Sequence, residues 1–565
     1  FDDKIKNIEL FNFSARFLDR LLMNETTLVQ WLDIAKDLQQ VLTDTVIETS
    51  VMNLPPEVFA LSGPTIIKNL KTRRNDLQMY AAGYYNSLVK EVEITGTKER
   101  DYFEVKQLGD EGTHVTIYPL NSSGEKEAVP YYLKIFVANE TKEIRLYGLD
   151  GNDVYSAEGQ ANNGIKIRII GGPATDSITD RTTGANKWLH IYDNNENVFD
   201  ITDRAKKHLS SDTSIHSYRY DAYKGDKSGF KPTVFFSNED RFYVSLGYQS
   251  LKHAWRKEPF RSKQGIYLNY SLSQRALSIY YTGIVNQFIG KWNLGLNAMY
   301  DFVRWTNFYG IGNETRMETM DRNFYRMRTR EFLGSVGLNR KLGEYHKIGF
   351  SGFFQTVNII NDKERFISRN LTGTDLFSNR YFAGGRFDYL FNNVNDPVLP
   401  SKGLTFFGNA TYTQDVQEQN RDLMGFAGNL YFYLPLARKL ILAVRTGGAT
   451  VNGKPQFYQL PTIGGGQTLR GYRRDRFYGK TTFYNSNELQ WVTNLKSTLF
   501  NGRIGLIALY DIGRVWQPNE NSDRWHSGYG GGFLMVPFEK IMVSVTYGKS
   551  NETGLFHLRF SKSLQ

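Results

Sequence analysis

From about residue 230 to the end of the chain, apolar and polar side chains alternate with a period of two, and the two resulting faces differ in kind. Trp292, Leu294, Leu296, Ala298 and Tyr300 oppose Asn293, Gly295 and Asn297, and Leu404, Phe406, Gly408, Ala410 and Tyr412 oppose Thr405, Asn409 and Thr411. On the last run Phe556, Leu558 and Phe560 stand against His557, Arg559 and Ser561. Such alternation predicts strands with one water-facing side. Divided at its turn signals, the stretch predicts sixteen strands, near 230–237, 240–251, 263–273, 276–286, 290–302, 324–340, 345–359, 380–392, 402–414, 422–434, 437–449, 479–493, 503–512, 528–537, 541–549 and 554–563.

A soluble sandwich alternates too, so the connections must arbitrate. The long ones, Arg304 to Arg322, Asn361 to Asn379, Val451 to Tyr478 and Gln517 to Ser527, all follow odd-numbered strands. Tight ones, at Lys341 to Glu344, Pro435-Leu436 and Pro537 to Lys540, follow even-numbered strands. An even strand count with long loops at one end and short turns at the other predicts an all-β transmembrane barrel of a Gram-negative outer membrane, entered from the periplasm. Aromatics near strand ends (Tyr300, Phe302, Tyr412, Trp491, Tyr547) fit interfacial girdles.

Ahead of the barrel the period changes. Leu28, Trp31, Ala35, Leu38, Leu42 and Val46 mark an amphipathic helix from Thr26 to about Glu48, and a second is expected to open at Gly63-Pro64-Thr65 with the stripe Ile66, Leu70, Leu77, Ala81, Tyr84 and Leu88. After Lys90 come short period-two runs, so residues 1–200 predict an α+β domain on the periplasmic side. Residues 201–229, polar and rich in Ser, Asp and Lys, are read as a linker, and 230–565 as the barrel. Two pieces, Gly148 to Tyr155 and Gly171 to Asp176, look like single imperfect copies of a calcium-binding nonapeptide. Because that motif works in stacked successive turns, two separated copies are read as Asx-stabilised turns and no metal is assigned.

Composition narrows the function classes. Aromatic residues make up 14% and glycines number 51, which suits a glycine-punctuated β protein. A mean hydropathy of −0.45 excludes nothing, since an alternating barrel averages to an ordinary value, and no run of about 18 apolar residues offers a helical span. Cysteine is absent, which removes disulfides, thiol catalysis and thiolate metal sites. The histidines are scattered without ligand spacing, so no cofactor is expected. The net charge of +11 is spread along strands and loops instead of forming one stripe, which points to anionic lipid or lumen acids and not to nucleic acid. The opening Phe1 is read as a processed start or as part of a longer chain.

The stretch Gly464-Gly465-Gly466-Gln467-Thr468-Leu469-Arg470-Gly471-Tyr472-Arg473-Arg474-Asp475-Arg476-Phe477 falls between the eleventh and twelfth strands. Its Leu469-Arg470-Gly471-Tyr472 resembles the V/L-R-G-F/Y signature of the BamA/TamA superfamily, the bacterial surface antigen barrels that also include two-partner secretion transporters. Asp396-Pro397-Val398-Leu399-Pro400-Ser401-Lys402-Gly403 is similar to that family's inner turn before the ninth strand, matching at Asp396, Pro400 and Gly403. Gly528-Tyr529-Gly530-Gly531-Gly532-Phe533 matches its glycine-rich fourteenth strand more weakly. The resemblance implies that the loop folds into the lumen and that Arg470 meets acids on the next two strands, here Glu488 and Asp511, the latter in Tyr510-Asp511-Ile512-Gly513. Two carboxylates supply the fork-like acceptors a confined guanidinium requires. Arg473, Arg474 and Arg476 are read as surface side chains of the loop.

The same resemblance implies a weak lateral seam between the first and last strands, at Pro232, Val234, Phe556, Leu558 and Phe560. The first strand is read as short, and Pro232 removes a ladder donor from it. The chain departs from the family in showing no repeated POTRA-like βααββ units and in ending on Ser563-Leu564-Gln565. The expected function is insertion, translocation or surface display of polypeptides, with outer-membrane lipid, polypeptide clients and accessory subunits as partners. The alternative is a passive channel, or an anchor for an upstream phosphoesterase-like or patatin-like enzyme. No catalytic constellation within these residues predicts an enzyme.

Overall fold

The computed structural model describes residues 2–562 except 161–163, 185–187, 212–215, 223, 238–240, 256, 372–374, 419–420 and 497–500. The terminal Ser563-Leu564-Gln565 lies outside the described residues. The chain divides into two compact units, Phe1–Lys224 and Gly225–Gln565.

The first unit begins with helices. The amphipathic stretch from Thr26 forms two helices, Leu28–Val41 and Asp44–Met52, because Thr43 caps the second by accepting from the Val46 amide. The next helix, Pro56–Asn75, starts seven residues before the expected Gly63-Pro64 and runs through Pro64. Pro56 occupies its first turn, where a missing N–H costs nothing.

Beyond the helices the chain winds into a coil of parallel strands. One sheet stacks β1 (Glu91–Thr95), β5 (Glu143–Tyr147), β7 (Lys166–Ile170), β9 (Leu189–Asp193) and β11 (Lys206–Leu209) in parallel. The second stacks β2 (Asp101–Leu108), β6 (Val154–Gln160), β8 (Ser177–Thr183) and β10 (Val198–Asp200), with β3 (Thr113–Pro119) and β4 (Tyr132–Phe136) added antiparallel beyond β2. In register, Val92, Ile144, Ile167 and Leu189 form one apolar ladder, and Ile94, Leu146, Ile169 and Ile191 form another. Both are buried against Phe103, Tyr155 and Ile178 of the facing sheet. Because β11 pairs with β9, part of the expected 201–229 linker belongs to this sheet. The coil also corrects the reading of the two glycine–aspartate pieces as separate local turns. They lie on adjacent turns of the coil, and their aspartates bond to backbone amides of neighbouring turns.

The second unit is one antiparallel sheet of sixteen strands in sequence order, from Lys227–Ser237 to Gly554–Lys562. Side chains such as Val244, Leu246 and Tyr248, opposite Tyr270, Leu268 and Ile266, are exposed on one side, an apolar band that water would not tolerate but lipid would. The described parts of the connections 308–325, 360–379 and 454–480 pack together. Phe308, Tyr325, Phe366, Phe457 and Tyr478 from these segments share one buried aromatic cluster over one end of the sheet.

The first strand is eleven residues long, so its expected shortness is corrected. It pairs fully with the second strand, Pro232 standing opposite Leu246. Among the described residues no ladder joins the first strand to the sixteenth.

Candidate functional site: the lumen loop

Gly464 to Phe477 sits between the eleventh strand (Leu440–Gly453) and the twelfth (Thr481–Lys496). Its two arms are pinned by a short ladder of Thr462-Ile463 with Phe477-Tyr478. Ile463, Leu469, Tyr472 and Phe477 then pack with Tyr484 and Val515 of the barrel wall, so the loop carries its own small apolar core. Burial of that core leaves the arginine tip to find polar partners inside the wall.

Arg470 is 4% exposed and Asp511, on the thirteenth strand (Asn501–Trp516), is 0% exposed. The guanidinium and the carboxylate meet as two forks, Nε donating to Oδ2 at 2.8 Å and Nη2 to Oδ1 at 2.7 Å. The Arg470 amide also donates to Asp511 Oδ2 at 2.9 Å. Nη1 donates to Glu488 Oε1 at 2.5 Å. Two partners that motif reading does not supply complete the set. Ser486 accepts from Nη2 and donates to Asp511 Oδ1, while Gln490 donates to Glu488 Oε2. Ser486, Glu488 and Gln490 follow one another at a spacing of two, the signal that they share a face of the twelfth strand.

The loop is also fastened to the end of the chain. Arg559 of the sixteenth strand donates to Glu488 at 3.1 and 3.3 Å, so one carboxylate joins the loop arginine to the terminal strand. The Gly471 carbonyl accepts from Ser550 Oγ at 2.8 Å and Thr553 Oγ1 at 2.6 Å, and Tyr472 Oη donates to Asn551 Oδ1 at 2.6 Å. Ser550 to Thr553 form the turn between the last two strands. Arg476 corrects the surface reading of the later arginines. It is 0% exposed and forks onto Glu552 with both bonds at 2.8 Å, while Nη1 and Nη2 reach Thr315. Arg474 is exposed, as expected. The charged face of the last strand was visible as His557 and Arg559 alternating with Phe556, Leu558 and Phe560. The register between loop and terminal hairpin was not.

Glycines make this approach possible. Gly471 has φ +90°, and a Cβ there would lie 2.7 Å from the Lys549 carbonyl carbon. On the glycine-rich fourteenth strand a Cβ at Gly528 would fall 1.9 Å from the Arg470 carbonyl oxygen. Gly513 leaves room for the Ile463 side chain, 3.1 Å from where its Cβ would stand.

The inner turn is held separately. Asp396 Oδ1 accepts from the Val398 and Leu399 amides, and Oδ2 accepts from Arg503 Nη2 at 2.7 Å, which anchors the turn to the thirteenth strand. Gly403 adopts φ +106° beside the Asn393 carbonyl. Pro400 follows Val398 and Leu399, which are buried against Ile507, Leu509 and Leu534. At the expected seam Val234, Phe556 and Phe560 are exposed and Leu558 is half-buried. The structure brings the loop, the two acids and the terminal hairpin together; the inner turn is a distinct cluster.

A model of the family described as haemolysin secretion/activation protein ShlB/FhaC/HecB matches residues 357–535. That range holds the inner turn, the arginine loop, both acids and the glycine-rich strand. Among solved structures the chain is similar to BamA from Haemophilus ducreyi lacking POTRA domains 1–3, at 16% identity over 60% of this chain and 70% of that one, with a TM-score of 0.45. It is also similar to CdiB from Escherichia coli (13% identity, 60% and 62% covered, TM-score 0.40) and to CdiB from Acinetobacter baumannii (13%, 60% and 58%, TM-score 0.38). The chain thus spans less than two thirds of either CdiB chain. No curated protein matches it in sequence. The family match thus runs across the loop, its acceptors and the inner turn, the same segments that carry the resemblance to the BamA/TamA superfamily in the sequence.

Proposed function

We propose that this barrel inserts, translocates or displays polypeptides at the outer membrane by non-covalent means, with the first unit on the periplasmic side. The observation that carries the reading is the attachment of the loop to both Glu488–Asp511 and the terminal hairpin through Arg559, Ser550 and Asn551. A loop so placed can hold the sixteenth strand in position and, when released, free its outer edge, which is unpaired among the described residues. Pro232 lowers the donor count of the first strand. A polypeptide client and outer-membrane lipid are the partners this mechanism requires, and accessory subunits would attach away from the lumen loop. The aromatic cluster over one end of the sheet disfavours a steady open pore.

The chain has no native thiol, so introduced cysteines are unambiguous. A Val234→Cys, Leu558→Cys pair joined by a short bifunctional thiol reagent is expected to stop client export or assembly, with each single variant active. Full activity of the joined form would exclude opening between these strands as the mechanism.

A further inference from the structure

Four successive turns of the first unit's coil superpose their connecting segments. Gly96, Gly148, Gly171 and Asp193 form one column, each of the first three donating its amide to the residue before the next, at Tyr147, Ile170 and Tyr192. Asp101, Asp153, Asp176 and Asn197 form the other, each amide of the first three donating to the next residue's Oδ1 at 2.8–2.9 Å. Every aspartate in that second column therefore commits one oxygen or its amide to the ladder, and the fate of the remaining oxygens differs. Asp101 Oδ2 accepts from Thr97. Oδ2 of Asp153, of Asp176 and of Asp193 is buried with no hydrogen-bond partner, and these residues are 1%, 1% and 0% exposed.

These three oxygens point into the glycine column. A Cβ at Gly171 would stand 2.1 Å from Asp176 Oδ2 and 2.0 Å from Asp193 Oδ2. A Cβ at Gly148 would stand 2.2 Å from Asp153 Oδ2, 2.4 Å from the Gly171 carbonyl oxygen and 2.5 Å from Tyr155 Oη. The Tyr155 hydroxyl, on a side chain 2% exposed, is a further buried polar atom without a partner and is aimed at the same place. Buried carboxylates are normally paired, hydrogen-bonded or bound to a metal, and several orphans converging on small-residue gaps call for a positive charge.

We propose that this unit binds a divalent cation of the hard, oxygen-seeking class, calcium, between its third and fourth turns on Asp176 and Asp193, with Asp153 alongside. Among the described residues no three acidic or histidine side chains are already drawn to a single point. The carboxylate pair therefore leaves part of the shell to backbone carbonyls and water, as the flexible six-to-eight-oxygen geometry of calcium permits and the stricter octahedron of magnesium does not. The separated glycine–aspartate pieces acquire the stacked arrangement that such a site requires because the parallel coil brings them together.

The test uses the full chain in detergent, freed of metal with a chelator and titrated with calcium chloride by calorimetry, with hydrogen exchange followed in parallel. The expected result is saturable binding with added amide protection at 148–153 and 171–176, and a loss of affinity of at least about tenfold in both Asp176→Asn and Asp193→Asn. The wild-type exchange measurement stands even if a variant does not fold. No heat and no added protection at millimolar calcium would overturn the proposal and leave the acids held neutral by protons. Binding of equal strength in both variants, or protection confined to the barrel, would equally overturn it.

Discussion

Arg470 shows how one side chain can organise a loop. Its charge is withdrawn from water and met by Asp511 and Glu488 together, so removing one partner leaves a buried charge behind, a loss of about 3–5 kcal/mol. Asp511→Arg alone is expected to prevent stable barrel assembly, followed as heat-modifiable mobility of the folded barrel, whereas Arg470→Asp with Asp511→Arg recovers part of it. Equal tolerance of the single change and the swap would show that the two are not paired. The family resemblance implied this pair, and the strand parity agreed with it, since Asp511 falls on the face opposite Ile504, Leu506, Ala508 and Tyr510. Arg476 was not legible, since its partners Glu552 and Thr315 lie 76 and 161 residues away.

Strands and their connections obey a different logic. The boundaries read from alternation hold to within a few residues over all sixteen strands, because a strand with one face in lipid and one in the lumen has no freedom to shift register by one. Departures concentrate where local signals compete. Thr43 caps a new helix inside an unbroken apolar stripe, and Pro56 supersedes Gly63-Pro64 as a helix start. The glycine-rich fourteenth strand looked like a weak motif, yet its meaning is spatial. Gly528→Val is predicted to drive the loop from the lumen, because its side chain would occupy the position of the Arg470 carbonyl. A Tyr472→Cys reporter, shielded from maleimide in the parent, should then label readily; continued shielding would show that the loop tolerates the added bulk.

In the barrel as a whole, the loop, the terminal hairpin and the aromatic cap act on the same end of one lumen. Single-channel recording of the purified chain in planar bilayers is expected to show mostly closed, low-conductance behaviour, with Arg470→Ala giving larger and more frequent openings. A steady wide conductance in the unaltered chain would favour the passive-channel alternative. The parallel coil is a different kind of assembly, each turn contacting its neighbours through ladders of like residues.

The amino-acid sequence by itself determined the strand count, the side of each strand that meets lipid, the position of the arginine loop and the parity of its acids, because all of these arise from local periodicity. It left open which distant groups the loop would grip and that short strands after Lys90 would stack in parallel, and it read the first strand as shorter than its eleven residues. Those depend on contacts between segments far apart in the chain, where no local pattern records the pairing. Folding alone brings Arg476 to Glu552, Arg559 to Glu488, and Asp176 to Asp193.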